Sequence, residues 1–272
     1  MPNEKIIVED RINGIDISGI NPIISPAAIK QAGFEFVYIQ CSRYSSTRDF
    51  GFDKTLDKMR GAGLRVGAYH FCSHDSDPER QAEFFYKASG GLGERNGDLP
   101  PMVDWEFCTP SKYKDHPSHC VKWLSRFMRT AEGLWYPNNA DRHTPRRPVC
   151  YTYPSYTHAH QPALEQETGL GEYPLCYASY KSVPKPGGGF TLVPWLPEST
   201  QGPLHAVPRP FQKWTLWQYS GDGGLQVPGV AGYCDRQVFN GTSGDFAELL
   251  GLARIHNETT FGVKEDAFFV RQ

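Results

Sequence analysis

Leu99-Pro100-Pro101-Met102-Val103-Asp104-Trp105-Glu106 closes a glycine-rich polar loop with two prolines, then delivers two carboxylates from a short apolar run. In an extended chain side chains alternate, so Asp104 and Glu106 share a face roughly 6–7 Å apart along the strand while Trp105 turns to the other. Two acids on one face at the end of a buried strand repel each other and are poorly solvated. One member is pushed toward a raised pKa, which suits general acid catalysis. A polar strand end facing solvent produces the same short pattern, so the rest of the chain has to decide between the two.

Working outward, the chain reads as alternating strands and helices. Gly14 to Ser18 is a short β-prone run with Asp16 embedded in it. Ser25-Pro26 reads as an N-cap with proline in the first turn, opening a brief helix to Gln31. Phe34 to Cys41 is a strand, and Phe52 to Ala62 is a helix closed by Gly63. Leu64 to Phe71 is the next strand, where Gly67 permits close packing. Asp77-Pro78 caps a helix running to about Ser89, and the acidic strand follows. His119 to Glu132 is an amphipathic helix, Arg147 to Tyr151 a strand, and a short helix lies around Tyr156 to Glu167. Tyr173 to Tyr180 is strand-like, and the proline- and glycine-rich stretch from Lys181 to Pro210 predicts a long irregular loop without regular helix. Trp214 to Tyr219 and Tyr233 to Phe239 supply the last two strands.

Eight strands, with helices between the early ones, imply a parallel sheet closed into a barrel of the TIM type. Such barrels carry their chemistry at the C-terminal ends of the strands. Asp16, Asp104 with Glu106, and Asp235 lie near the ends of the first, fourth and eighth predicted strands. A carboxylate cluster assembled from such distant parts of the chain is hard to attribute to chance.

Composition is consistent with an enzyme of this size and excludes other classes. The 272 residues suffice for one large barrel or two smaller domains, and a formal charge of -2 gives neither a nucleic-acid footprint nor a polybasic membrane patch. No apolar run reaches the length of a membrane span. Aromatic residues, at 13%, suit either sugar stacking or a well-filled core, so they do not discriminate. The N-terminus has no long apolar core of an export signal, and the seven cysteines form no C-x-x-C pair. Both features lead to the expectation of synthesis in a cytoplasm.

The ordered set G-I-D-I-S (14–18), G-A-Y-H-F (67–71), L-P-P-M-V-D-W-E (99–106), Y-T (151–152), Y-A-S-Y (177–180), W-Q-Y-S (217–220) and D-R-Q-V-F (235–239) resembles the family 25 glycoside hydrolases. These are the Chalaropsis-type lysozymes, or N-acetylmuramidases. The resemblance covers residues 12–240 as one barrel domain, after a polar leader (1–11) and before an extension of unknown role (241–272). The chain departs from the family pattern at Trp105, where a small aliphatic residue is usual, and at Gln40-Cys41-Ser42-Arg43, where a K-A-T-E-G-like stretch is common. Its 181–213 loop is also long.

The resemblance implies five β/α units followed by three strands with few helices. It also implies hydrolysis of the β-1,4 bond between N-acetylmuramic acid and N-acetylglucosamine in bacterial peptidoglycan. Carried over by position, Glu106 is the proton donor and Asp104 the assisting acid. The reaction then proceeds by attack of the substrate's own N-acetyl group, with direct carboxylate attack and an inverting route as alternatives. Asp16 and Asp235 are the remaining pocket acids. Tyr69, Tyr151, Tyr180 and Trp217 are placed to meet sugar rings, and Gln218 to bond a pocket acid or substrate. No cofactor or metal is implied, the partner is the peptidoglycan glycan strand, and the oligomeric state is left open. Absence of an export signal and of wall-anchoring repeats leads to the expectation of a bacteriophage endolysin that acts on the wall after release from the host cytoplasm. A virion-associated lysozyme is the variant of that reading.

Other constellations are weaker. His70 and His74 have ligand spacing for a helix, but the local pattern is strand then loop. Cys108, His116, His119 and Cys120 match no standard zinc spacing. A non-catalytic glycan-binding barrel should have lost one of the four acids, and all four are present. A metal-dependent barrel hydrolase needs several convergent ligands at strand ends, where only His70 qualifies.

Overall fold

The structure, a computed structural model, describes residues 6–106, 116–139, 145–193, 195–221 and 225–252. Cys108 and the last twenty residues of the extension lie outside them. In chain order the strands are β1 (Asn13–Ile17), β2 (Phe34–Arg43), β3 (Thr47–Arg48), β4 (Arg65–Phe71), β5 (Met102–Asp104), β6 (Val149–Thr152), β7 (Leu175–Ala178), β8 (Ser182–Pro184), β9 (Phe190–Leu192), β10 (Leu216–Ser220) and β11 (Asp235–Phe239). The helices are α1 (Pro26–Gln31), α2 (Phe52–Gly61), α3 (Pro78–Ser89), α4 (Pro117–Trp135), α5 (Pro154–Leu164) and α6 (Ser243–Leu249).

The main sheet runs β1-β11-β10-β7-β6-β5-β4-β2-β3, and β1 also pairs with β2, which closes it. β3 is only a short antiparallel flap on β2, so the closed ring has eight strands. Five β/α units, β1 to α5, precede three barrel strands with no α-helix between them among the described residues, as the resemblance implied. One expectation needs correction. The sheet is not wholly parallel, because β11 runs antiparallel to both β10 and β1. No helix lies among the described residues between β10 and β11, and the antiparallel pairing starts β11 at the rim where β10 ends. Asp235 is therefore the first residue of its strand and still lies at the same rim as Asp16, its direct cross-strand partner.

Local signals explain the elements. Ser25 Oγ accepts from Ala28 N at 3.2 Å, and Asp77 caps α3 by accepting from Arg80 N at 2.9 Å, each with proline just inside the helix. α3 ends at Gly90 with φ of 62°, the left-handed conformation glycine tolerates. The 181–210 stretch has no regular α-helix but carries the β8–β9 hairpin, with Gly187, Gly188 and Gly189 at positive φ in its turn.

Alternation along the strands sorts two cores. Phe36, Tyr38, Tyr69, Met102, Val149, Cys176, Leu216 and Phe239 fill the barrel. A larger cluster, including Val37, Val103, Cys150 and Tyr177, packs between strands and helices. Gly14 and Gly67 have no room for a side chain: a Cβ would lie 2.2 Å from the Phe36 ring at one and 2.7 Å from Tyr38 at the other. The extension beyond 240 contributes a plug. α6 sets Phe246 against Phe36 and Phe239, with ring centroids 5.7 and 5.1 Å apart, at the end opposite the acids.

Candidate active site

The acids predicted from sequence converge. Asp16, Asp104, Glu106 and Asp235 line one pocket of about 190 Å³ at the C-terminal ends of the parallel strands, with Ser18, Ile20, Asn21, Tyr69, Phe71, Met102, Tyr151 and Gln218. A roomier cavity, about 600 Å³, lies around Pro100, Arg147 and Trp214. Two of its three acids have structural duties: Glu172 pairs with Arg147 at 2.7 Å, and Asp245 caps α6. The chemistry therefore points to the smaller pocket.

The D-W-E stretch is held by the split between its two faces. Trp105 N–H donates to Tyr151 O at 2.9 Å, and Cys72 N–H donates to Asp104 O at 3.1 Å, so the ladder continues on both sides of β5. The Trp105 side chain is fully buried outside the barrel against Tyr156 and His160, with ring centroids 4.7 and 5.2 Å away. Anchoring the indole outward turns Asp104 and Glu106 inward. Asp104 is 8% exposed, and its Oδ1 is buried without a hydrogen-bond partner among the described residues.

Electrostatics follow from crowding four carboxyl groups in a half-dry pocket. Burial, then the charge of Asp16, raises Glu106 to about 7. Burial, then Glu106, Asp16 and Asp235, pushes Asp104 well above the ordinary carboxylate range. Burial and mutual repulsion push both neighbours toward their protonated forms. Glu106 thus keeps a transferable proton near neutrality.

A polar network spans the floor. Gln218 Nε2 donates to Asp16 Oδ2 at 2.8 Å and to Asp235 Oδ2 at 3.3 Å, while its Oε1 accepts from Tyr151 OH at 3.0 Å and from Tyr180 OH. Acids directly opposite each other on neighbouring strands repel. The Gln218 amide sits between this pair and offsets that repulsion. Both phenol protons point at Gln218, which leaves hydroxyl lone pairs for donors on a bound molecule.

Not every sequence-predicted residue reaches the pocket. Tyr69, Tyr151 and Gln218 line it, and Tyr180 joins through Gln218. Trp217 does not. It alternates outward from Gln218, is fully buried against Trp195, Trp214 and Tyr219, and donates from Nε1 to Ser179 O at 2.8 Å. The sugar contact expected of it is corrected to a packing role. His70 also faces out of the barrel, between Phe85 and Phe127, with Ser42 and Gln81 on its two ring nitrogens. His74 lies in the outer aromatic cluster with Trp123 and Tyr156. Neither histidine points at the acids: His70 lies near the end of β4 as read from sequence, but its ring takes the outer face of the sheet. Gln237 was missed: its Nε2 donates to Asp16 Oδ2 at 2.5 Å. The same i, i+2 spacing that singled out Asp104 and Glu106 would have paired Gln237 with Asp235.

Comparison with known proteins places this arrangement in context. The model of the glycosyl hydrolases family 25 matches residues 15–230. The chain is 29% identical over 243 residues to lysozyme M1 of Streptomyces globisporus, covering 89% of this chain and 71% of that protein. It is 26% identical over 147 residues to an N,O-diacetylmuramidase of Arthroderma benhamiae, covering 53% of this chain and 59% of the relative. The crystal structure of a bacterial lysozyme from Streptomyces coelicolor superposes with a TM-score of 0.68 at 27% identity, over 90% of this chain and 97% of that one.

Proposed function

This chain belongs to glycosyl hydrolase family 25, and from that premise we propose that it is a lysozyme cleaving the β-1,4 bond after N-acetylmuramic acid in peptidoglycan, with Glu106 as its general acid. The observation that carries the assignment is the inward-facing Asp104/Glu106 pair at the end of β5, with Glu106 holding a proton to about 7. A carboxylic acid protonated near neutrality is what departure of a glycosidic oxygen requires. The names of the Streptomyces and Arthroderma relatives support the same substrate and bond.

In the proposed reaction Glu106 protonates the leaving oxygen. The carbonyl oxygen of the substrate's N-acetyl group attacks the anomeric carbon, forming an oxazolinium ion as the glycosidic bond breaks. Asp104, which lines the pocket beside Glu106, accepts from the acetamido N–H and orients it. Glu106, now ionised, takes a proton from the water that opens the ring. Asp16 and Asp235 supply negative potential that favours the positive charge on the sugar.

This route predicts retention. Proton NMR of the first product released from a defined glycan oligomer should show the β anomer. The α anomer would replace this route by a base-activated water.

For the biological setting we retain synthesis in a reducing compartment and action on the wall during phage-driven lysis. The six described cysteines are all buried with no disulfide among them, which supports the first part of that reading.

A further inference from the structure

Gln237 carries a consequence beyond the four acids. It is fully buried at mid-strand in β11, and its amide meets the same Asp16 oxygen that Gln218 reaches from β10. The orientation of Gln218 is fixed chemically: ionised carboxylates only accept, so its NH₂ group must face Asp16 and Asp235, and its Oε1 then accepts from the two phenol hydroxyls. Reversing Gln237 would set its carbonyl oxygen against the Asp16 carboxylate, which is repulsive. Two amide donors from two strands therefore converge on one oxygen.

Hydrogen bonds to the charged form of a buried acid favour that form. The titratable groups facing Asp16 are Tyr69 on β4, Asp104 and Glu106 at β5, Tyr151 on β6, the buried thiols Cys176 on β7 and Cys234 before β11, Asp235 on β11 and, through Gln218, Tyr180 after β7. No lysine, arginine or histidine is among the described residues lining the pocket. Amide dipoles, not a cation within the pocket, thus oppose protonation of Asp16.

We propose that Gln237, together with Gln218, is a positioning residue that holds Asp16 as a carboxylate, and that this fixed negative charge keeps the catalytic proton on Glu106. The proposal rests on the reading of Glu106 as the acid. It adds the device that sets the upper pH limit of the reaction. The charge of Asp16 is itself among the causes that raise Glu106.

The test is kcat/KM against pH on soluble glycan oligomers for the wild type, Gln237→Leu and Asp16→Asn, together with a carbon-13 titration of the Glu106 carboxyl. Loss of the Gln237 donor lets Asp16 take up a proton more readily and weakens its repulsion of Glu106. The basic limb of the profile and the Glu106 titration should both move to lower pH, by about 0.5–1 unit in Gln237→Leu and further in Asp16→Asn. A uniform loss of rate with neither curve displaced would reduce Gln237 to packing and overturn the proposal. If Gln237→Leu does not fold, Gln237→Met removes the same donor with an unbranched chain. An unmoved Glu106 titration in Asp16→Asn alone also overturns it. Failure of the underlying reading looks different: Glu106→Gln would retain activity, while the carbon-13 displacement would still report the Asp16–Glu106 coupling.

Discussion

Glu106 sits where chemistry and stability pull in opposite directions. Its folded pKa of about 7 lies above the ordinary glutamate value of 4.5. Between those values the folded state binds more protons than the unfolded one, so this residue's contribution to stability is full below 4.5 and is lost as pH rises through 7. Glu106→Gln keeps the shape and removes the titration. Its melting temperature should equal that of the wild type at pH 4.5 and exceed it at pH 7.5, as read by calorimetry at the two values. Activity should fall by roughly 10²–10⁴-fold, the usual contribution of a general acid. A variant that is both more stable and inactive is the signature expected of a built active site.

At the scale of strands, alternation decides which residues meet substrate. Trp217 and Gln218 are neighbours in β10, yet one packs outside the barrel and the other bridges the acids. Trp217→Phe should lower stability by about 1–3 kcal/mol through lost packing and a lost indole hydrogen bond. KM should remain unchanged, and an increased KM would restore the sugar contact first read from sequence. That reading failed because an aromatic near a strand end looks the same whichever face it takes. The acids were legible because a D-x-E pair shares a face by geometry, and because Asp16 and Asp235 recur at strand ends. The reversal of β11 was not legible, because strand propensity carries no direction. Gln237 went unread because a buried amide has no composition signal until its carboxylate partner is placed beside it.

For the whole molecule, the barrel is closed at one end by chemistry and at the other by α6. Phe246→Ala should cost about 3–5 kcal/mol by opening the base between Phe36 and Phe239, measured by urea unfolding. The five early β/α units were legible from capping residues and periodicity, whereas the plug helix lies in a stretch that sequence left without a role. Outside the barrel, burial lowers both His70 and His74 from 6.5 to about 4. The unfolded chain binds protons there first, so the stability they leave intact above 6.5 is lost as pH falls toward 4. Over that window the histidines oppose the gain from Glu106, so His74→Phe should raise the urea midpoint relative to the wild type more at pH 4 than at pH 7. All of these effects serve a single claim, that the acids at the β5 rim cut a glycan. The most direct test is digestion of purified peptidoglycan by the wild type and by Glu106→Gln, followed by borohydride reduction and mass spectrometry of the new ends. Reduced muramic acid ends from the wild type alone are expected. Reduced glucosamine ends, equal release by the variant, or intact walls from several bacterial types would contradict the account.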